Sequence, residues 1–279
     1  MERIKQAIEK VKKQHSSEAG RFTQPHPDNQ GTAFTPLSPQ ANIDLEDFRY
    51  THTRVVKLQL AHLENKRVVA FNKNDPKSLI FDLLRTKVLQ KMEENGWRTL
   101  AITSPTPEAG KTVVAINLAM SIAQQTNKTA MLVDFDLRRP KIGACLGIPM
   151  EKSLNDLLDG TSELPDVLVN PDLPRLVVLP TRNPVKKSSE TLSSKKIANL
   201  IRDLRERYES RIVIFDLPPV LGIDDAIALL PQIDCVLMVV ANGMSTKREI
   251  EDSLHHLPAT KLIGIVLNKA ETEPMDYYY

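Results

Sequence analysis

Cysteine is scarce in this chain of 279 residues: Cys145 and Cys235 are the only two, far apart and each inside an apolar stretch. That excludes a disulfide framework and a Cys-rich metal site, and points to a reducing cytoplasm. Long apolar runs are also missing, and none approaches the roughly 20 residues of a membrane span. The opening MERIKQAIEK is charged throughout, so no secretory leader is expected. Neither charge is in surplus. The 37 Lys+Arg against 35 Asp+Glu leave a formal +2, too balanced for a nucleic-acid partner. Tyrosine is rare, with five residues, and three of them are consecutive at 277–279. What is present is an ordinary globular composition, 41% hydrophobic and 26% charged, enough to build a core.

The chain divides by pattern. Residues 1–15 read as a short amphipathic helix, with Ile4, Ile8 and Val11 at i, i+4, i+7, docking either on its own domain or on another protein. Residues 16–53 lose every hydrophobic period and carry Pro25, Pro27, Pro36 and Pro39 among Ser, Gln and Asn, which reads as a disordered linker. The lead-in 54–75 fits strand and helix equally. From 76 to 270, short apolar runs (RTLAITS, TAMLVDF, RLVVLPT, RIVIFDLPP, DCVLMVVAN, KLIGIVLNK) alternate with helical segments such as SLIFDLLRTKVLQKM and TVVAINLAMSIAQQ. The expected class is therefore α/β, a mostly parallel sheet with helices on both faces. Ligands of such sheets bind at the carboxyl ends of the strands.

Those ends carry the chemistry. After the first strand comes SPTPEAGKT, a phosphate-loop pattern in which Pro105 replaces the usual first glycine. The stretch from Pro107 through Glu108, Ala109 and Gly110 to Lys111, Thr112 and Val113 would cradle nucleotide phosphates. Lys111 would reach the β/γ-phosphates and the Thr112 hydroxyl would hold Mg²⁺. The second strand ends in LVDFDLRRP. Alternation puts Asp134 and Asp136 on one face, where they share a metal or a proton, or else cap the loop and pair with Arg138 or Arg139. The third ends in VIFDLPP, where Asp216 stands as a metal-holding carboxylate. Lys111 with Thr112, Asp134 with Asp136, and Asp216 thus form one constellation for ATP and Mg²⁺. Asp224 and Asp225 open a helix, and His255 and His256 read as a surface pair.

TSPTPEAGKT, LVDFDLR, IVIFDLPP and a tyrosine run together resemble the bacterial tyrosine-kinase family of polysaccharide export, over roughly residues 76–279. The resemblance implies a P-loop fold of the partitioning-ATPase type. It implies transfer of the ATP γ-phosphoryl group to Tyr277, Tyr278 and Tyr279, mostly between subunits, with control of exopolysaccharide or capsule synthesis. Arg138 completes the family's second motif and would seat phosphates or the acidic tail 271–279. Which of Asp134 and Asp136 is the base stays open, and Asn268 would meet the adenine. The implied partners are a transmembrane chain-length determinant or copolymerase, other subunits of the same chain and a tyrosine phosphatase, with the kinase recruited to the inner face of the membrane. The family's ring motif, E-x-x-R-x-x-R, falls on Leu79, Asp82 and Arg85, of which only the last fits, so the usual ring is not expected. The alternative reading is a partitioning-type ATPase switch that phosphorylates nothing. Its early loop lysine is missing here.

Overall fold

A computed structural model of the protein describes residues 53–125, 127–257 and 260–270. The amphipathic N-terminal stretch, nearly all of the linker and the tyrosine tail lie outside the described residues.

The described elements begin with β1 (Arg54–Val55) and α1 (Leu60–Asn65), so the ambiguous lead-in is a two-residue strand followed by a short helix. Then come α2 (Ser78–Glu94), β2 (Thr99–Thr103), α3 (Lys111–Gln125) and β3 (Thr129–Asp134). Three short helices follow, α4 (Ile142–Leu146), α5 (Leu154–Asp159) and α6 (Leu164–Val167), leading into β4 (Val169–Asn170) and β5 (Leu176–Leu179). The chain continues through α7 (Ser188–Leu192), α8 (Lys195–Glu206), β6 (Arg211–Asp216) and α9 (Asp225–Leu229) with a 3₁₀ turn after it. It closes with β7 (Cys235–Ala241), α10 (Lys247–His255) and β8 (Lys261–Asn268).

These strands form one eight-stranded sheet in the order β1-β4-β5-β3-β6-β2-β7-β8. Every pairing is parallel except β4 with β5. Strands β2, β3, β5 and β7 are buried at every position, which is why they read as unbroken apolar runs rather than alternating ones. Two apolar clusters cover the two faces of the sheet. One holds Leu100, Ile102 and Leu132 with α3, and the other holds Ala101, Met131 and Val133 with α8 and α9. Alternation along each strand sends neighbouring residues to opposite clusters.

Register places the chemistry. Strand β6 lies between β3 and β2, with Asp134 opposite Asp216 and Asp216 opposite Ile102. The carboxyl ends of β3, β6 and β2 are thus side by side, and the phosphate-loop segment leaves β2 at the same edge.

Candidate active site

A cleft of about 700 Å³ opens at this edge, within the size range of small-molecule sites. Its floor is the loop after β2, with Pro107, Glu108, Gly110, Lys111, Thr112 and Val113 all on its lining. Helix α3 starts at Lys111, so the unsatisfied N–H groups of its first turn and the positive end of its dipole belong to the cleft. Gly110 has φ +90, and a Cβ there would come within 2.2 Å of the Asn268 amide nitrogen. Only glycine allows this approach. Asn268 itself donates to the Ala109 carbonyl at 2.8 Å. Its amide thus braces the loop, and the neighbouring Lys269 lines the cleft.

Lys111 is nearly buried and its ammonium reaches Asp136 Oδ2 at 2.8 Å and Asp216 Oδ1 at 3.3 Å. Thr112 Oγ1 donates to Asp216 Oδ2 at 2.6 Å. The motifs after β2, β3 and β6 therefore meet in one hydrogen-bonded cluster. Burial is the largest single influence on Lys111 and acts to lower its pKa, but Asp216 and Asp136 together outweigh it and hold the ammonium well above the usual lysine range. Burial likewise pushes Asp216 up, against the pull of Lys111 and the Thr112 hydroxyl.

The paired aspartates have different places. Asp136 lines the cleft, held through Oδ1 by the Arg139 amide at 3.1 Å. Asp134 is fully buried beneath it. Its Oδ2 accepts from the amides of Lys141 at 3.0 Å and Ile142 at 2.9 Å, which anchors the loop into α4. Its Oδ1 has no hydrogen-bond partner, and burial followed by repulsion from Asp216 raises its pKa well above the ordinary carboxylate range.

Arg138 lines the cleft with its side chain half exposed, and its guanidinium makes a bidentate pair with Asp225, both bonds 3.1 Å. The Ser189 hydroxyl donates to both Asp224 and Asp225. Arg138 holds the Asp225 carboxyl below its ordinary range even though burial works the other way. Asp225 opens α9, as the sequence suggested, and its side chain also holds Arg138.

The sequence did not point to the opposite wall. Asn65, Lys66 and Arg67, from the end of α1, line the same cleft with Cys145 of α4. Among the described residues four non-glycine residues have positive φ, and three of them, Arg67, Glu108 and Lys269, sit on this lining. Such backbone cost gathers at functional sites. No signal in the sequence marks a left-handed arginine.

The donor set fits a magnesium nucleotide. A helix N-terminus, a buried lysine between carboxylates and a threonine hydroxyl on Asp216 meet at one cleft. Mg²⁺ bound with phosphates needs only one or two protein oxygens, so the lack of any three-residue His/Cys/Asp/Glu cluster among the described residues is no obstacle.

Two of the three ring-motif positions, Asp82 and Arg85, are engaged within the domain. Arg85 Nη1 pairs with Asp82 Oδ1 at 2.9 Å and donates to Ser121 Oγ of α3 at 3.1 Å. Ser121 in turn donates to Asp82 at 2.7 Å. Leu79, Ile80 and Leu83 lie exposed on α2. Among the described residues no helix is long and apolar enough to cross a membrane.

Comparison with known proteins agrees with this arrangement. A family model described as an AAA domain matches residues 98–258. The tyrosine-protein kinase ptk of Acinetobacter johnsonii is 31% identical over 181 residues, 64% of this chain but 24% of the relative, so the chain spans about a quarter of that protein. The tyrosine-protein kinase CpsD of Streptococcus pneumoniae serotype 4 is 30% identical over 183 residues, covering 64% of this chain and 79% of the relative. Among solved structures, the kinase domain of the Escherichia coli tyrosine kinase ETK superposes with a TM-score of 0.65 at 28% identity, covering 75% of this chain and 82% of that one. With both the fold and a relative of similar length in agreement, the chain belongs to the AAA domain family and, within it, to the bacterial tyrosine kinases.

Proposed function

We propose that the protein is an ATP-dependent protein-tyrosine kinase whose acceptors are Tyr277, Tyr278 and Tyr279. The observation that carries the reading is the union of Lys111, Thr112, Asp136 and Asp216 across three adjacent strand ends, in a chain of this family. Bound Mg²⁺ would neutralise charge on the β- and γ-phosphates. Thr112 and Asp216 are the groups that would hold it, with Asp136 beside them.

The chain's own residues divide the remaining work. Lys111 exchanges its carboxylates for phosphate oxygens and carries positive charge to where negative charge develops in transfer. Asp136 faces the cleft and is released by the same exchange, so it is the carboxylate placed to take a tyrosine proton. Asp134 acts through the loop it anchors and through its field. Arg138, fixed by Asp225, presents a cation at the rim. The Pro107–Val113 loop holds the phosphates, and Asn268 supports that loop from below. In this reading Asp136, of the two carboxylates the sequence left open, is the base.

The acidic segment 271–279 supplies the acceptor, from a second copy of the chain. Its Glu271, Glu273 and Asp276 complement a cleft rich in lysine and arginine. In this reading the kinase works in the cytoplasm at the inner membrane face, brought there by a transmembrane copolymerase, is reset by a tyrosine phosphatase, and regulates exopolysaccharide or capsule synthesis.

Mass spectrometry of the chain after incubation with Mg-ATP, alone and with the partner's cytoplasmic segment, is the test. Phosphotyrosine is expected at 277–279. It should vanish in Lys111→Met together with ATP turnover, and deleting 277–279 should remove most of it while hydrolysis persists. Label mainly on Tyr50 or Tyr208, or on no tyrosine, would favour the ATPase switch.

A further inference from the structure

The wall that the lead-in adds to the cleft carries charge that the motifs leave unused. Helix α1 stops with Arg67 N–H donating to the Glu64 carbonyl and Val68 N–H to the Leu63 carbonyl, both at 2.9 Å. This double bond at a helix end places its central residue in the left-handed region, and Arg67 has φ 59. Glycine takes that conformation most easily, whereas a side chain adopts it at a cost.

The turn is clamped in place. Asn117 of α3 is fully buried, and its Oδ1 accepts from the amides of Val69 at 2.7 Å and Ala70 at 2.9 Å. Its Nδ2 donates to the carbonyls of Arg67 at 3.1 Å and Val113 at 2.8 Å. One side chain thus ties the Lys66–Arg67 turn to the first turn of the helix that follows the phosphate loop. On the other side His62 shares a hydrogen bond of 3.0 Å with the Ala144 carbonyl and fixes α1 to α4.

Charge identifies what this wall faces. Among the described residues Lys111 and Arg138 are ion-paired, while Lys66, Arg67, Arg139 and Lys141 on the same lining have no ion pair. ATP and Mg²⁺, together with Lys111 and its two carboxylates, carry a net charge of about −3. A charge of that size in a partly closed cleft calls for further cations. Resting on the nucleotide reading of the cleft, we propose that Arg67, seconded by Lys66, contacts the phosphates of the nucleotide, which makes the lead-in segment part of the nucleotide site.

Binding of a fluorescent ATP derivative to the full chain with Mg²⁺ tests this without relying on turnover. Arg67→Gly removes the guanidinium and suits the left-handed backbone, so the unfolding midpoint should stay the same or rise. Nucleotide affinity should nevertheless fall about 5- to 10-fold, as for loss of a charge-assisted contact. Adding Lys66→Ala should weaken it further and flatten its dependence on salt. Unchanged affinity in the double variant would overturn the assignment. So would unchanged affinity with a raised KM for an acidic tyrosine peptide, which would give the pair to the acceptor instead. Failure of the parent chain to bind ATP would strike the nucleotide reading itself and is seen without the Arg67 variant.

Discussion

Asp134 is bonded through one oxygen to two loop amides while its other oxygen has no partner, fully buried beside Asp216. Burial and the neighbouring carboxylate raise its pKa. The folded protein therefore binds this proton more tightly than the unfolded chain does, and stability declines as pH rises from the unfolded value of 3.8 through the raised one. Asn at this position keeps an acceptor for Lys141 and Ile142 and removes the charge. We expect Asp134→Asn to melt close to the parent near pH 4 and above it at pH 7.5, by about 2–4 °C for each ~1 kcal/mol relieved. Thermal unfolding across that range checks it, and a variant that melts lower at pH 7.5 would contradict it. At this scale the sequence revealed identities but not roles. DFDLRRP shows two carboxylates two residues apart, yet which of them faces the cleft depends on a loop that bends back over β3. Arg138 was legible as a motif residue. Its tie to Asp225 was not, because it joins segments 87 residues apart.

The elements show where pattern reading reaches its limit. Strands buried on both sides, such as β3 and β7, appear as unbroken apolar runs and were readable. The long helix α2 was readable too, from SLIFDLLRTKVLQKM. Helices of four or five residues, α4 and α6, complete barely one turn and leave no period, and the two-residue β4 leaves none either. The lead-in was ambiguous because its order comes from a tertiary partner. All four hydrogen bonds of the Asn117 amide hold it or the first turn of α3. Asn117→Ala would leave buried amides and carbonyls unmet, at about 2–3 kcal/mol. Hydrogen exchange should then show Val69 and Ala70 exposed while β2 and β3 remain protected. Unchanged protection at 69–70 would mean that apolar packing, not the amide, holds the segment.

For the molecule as a whole, the α/β class, the parallel sheet and the position of the site at its carboxyl edge were legible. Strand order was not, since it arises from crossovers that no local period records, and the antiparallel β4–β5 pair was not, since the two-residue β4 leaves no period. Assembly follows from the same structure. At the ring-motif positions Asp82 and Arg85 bond to each other and to Ser121, leaving Leu79, Ile80 and Leu83 as the outward face of α2. We expect light scattering at micromolar concentration to show no closed octamer. Arg85→Ala should lower the melting temperature by loosening α2 from α3, without changing particle mass. An octamer that this substitution dissolves would refute that expectation.

The lysine between Asp136 and Asp216 also sets an order of arrival. Both oxygens of Asp216 are engaged by the chain itself, one by the Lys111 ammonium and one by the Thr112 hydroxyl. If Asp216 holds the divalent ion, that ion and the ammonium would be rivals for the same seat, and a nucleotide phosphate would offer the ammonium another partner. Magnesium alone would have to displace a buried cation with nowhere to go, whereas magnesium carried on a nucleotide would bring the new partner with it. Calorimetric titration with Mg²⁺ should show no saturable binding at millimolar concentration without nucleotide, and clear binding once ADP is present. Lys111→Met, which vacates the seat, should be the variant that binds the bare ion.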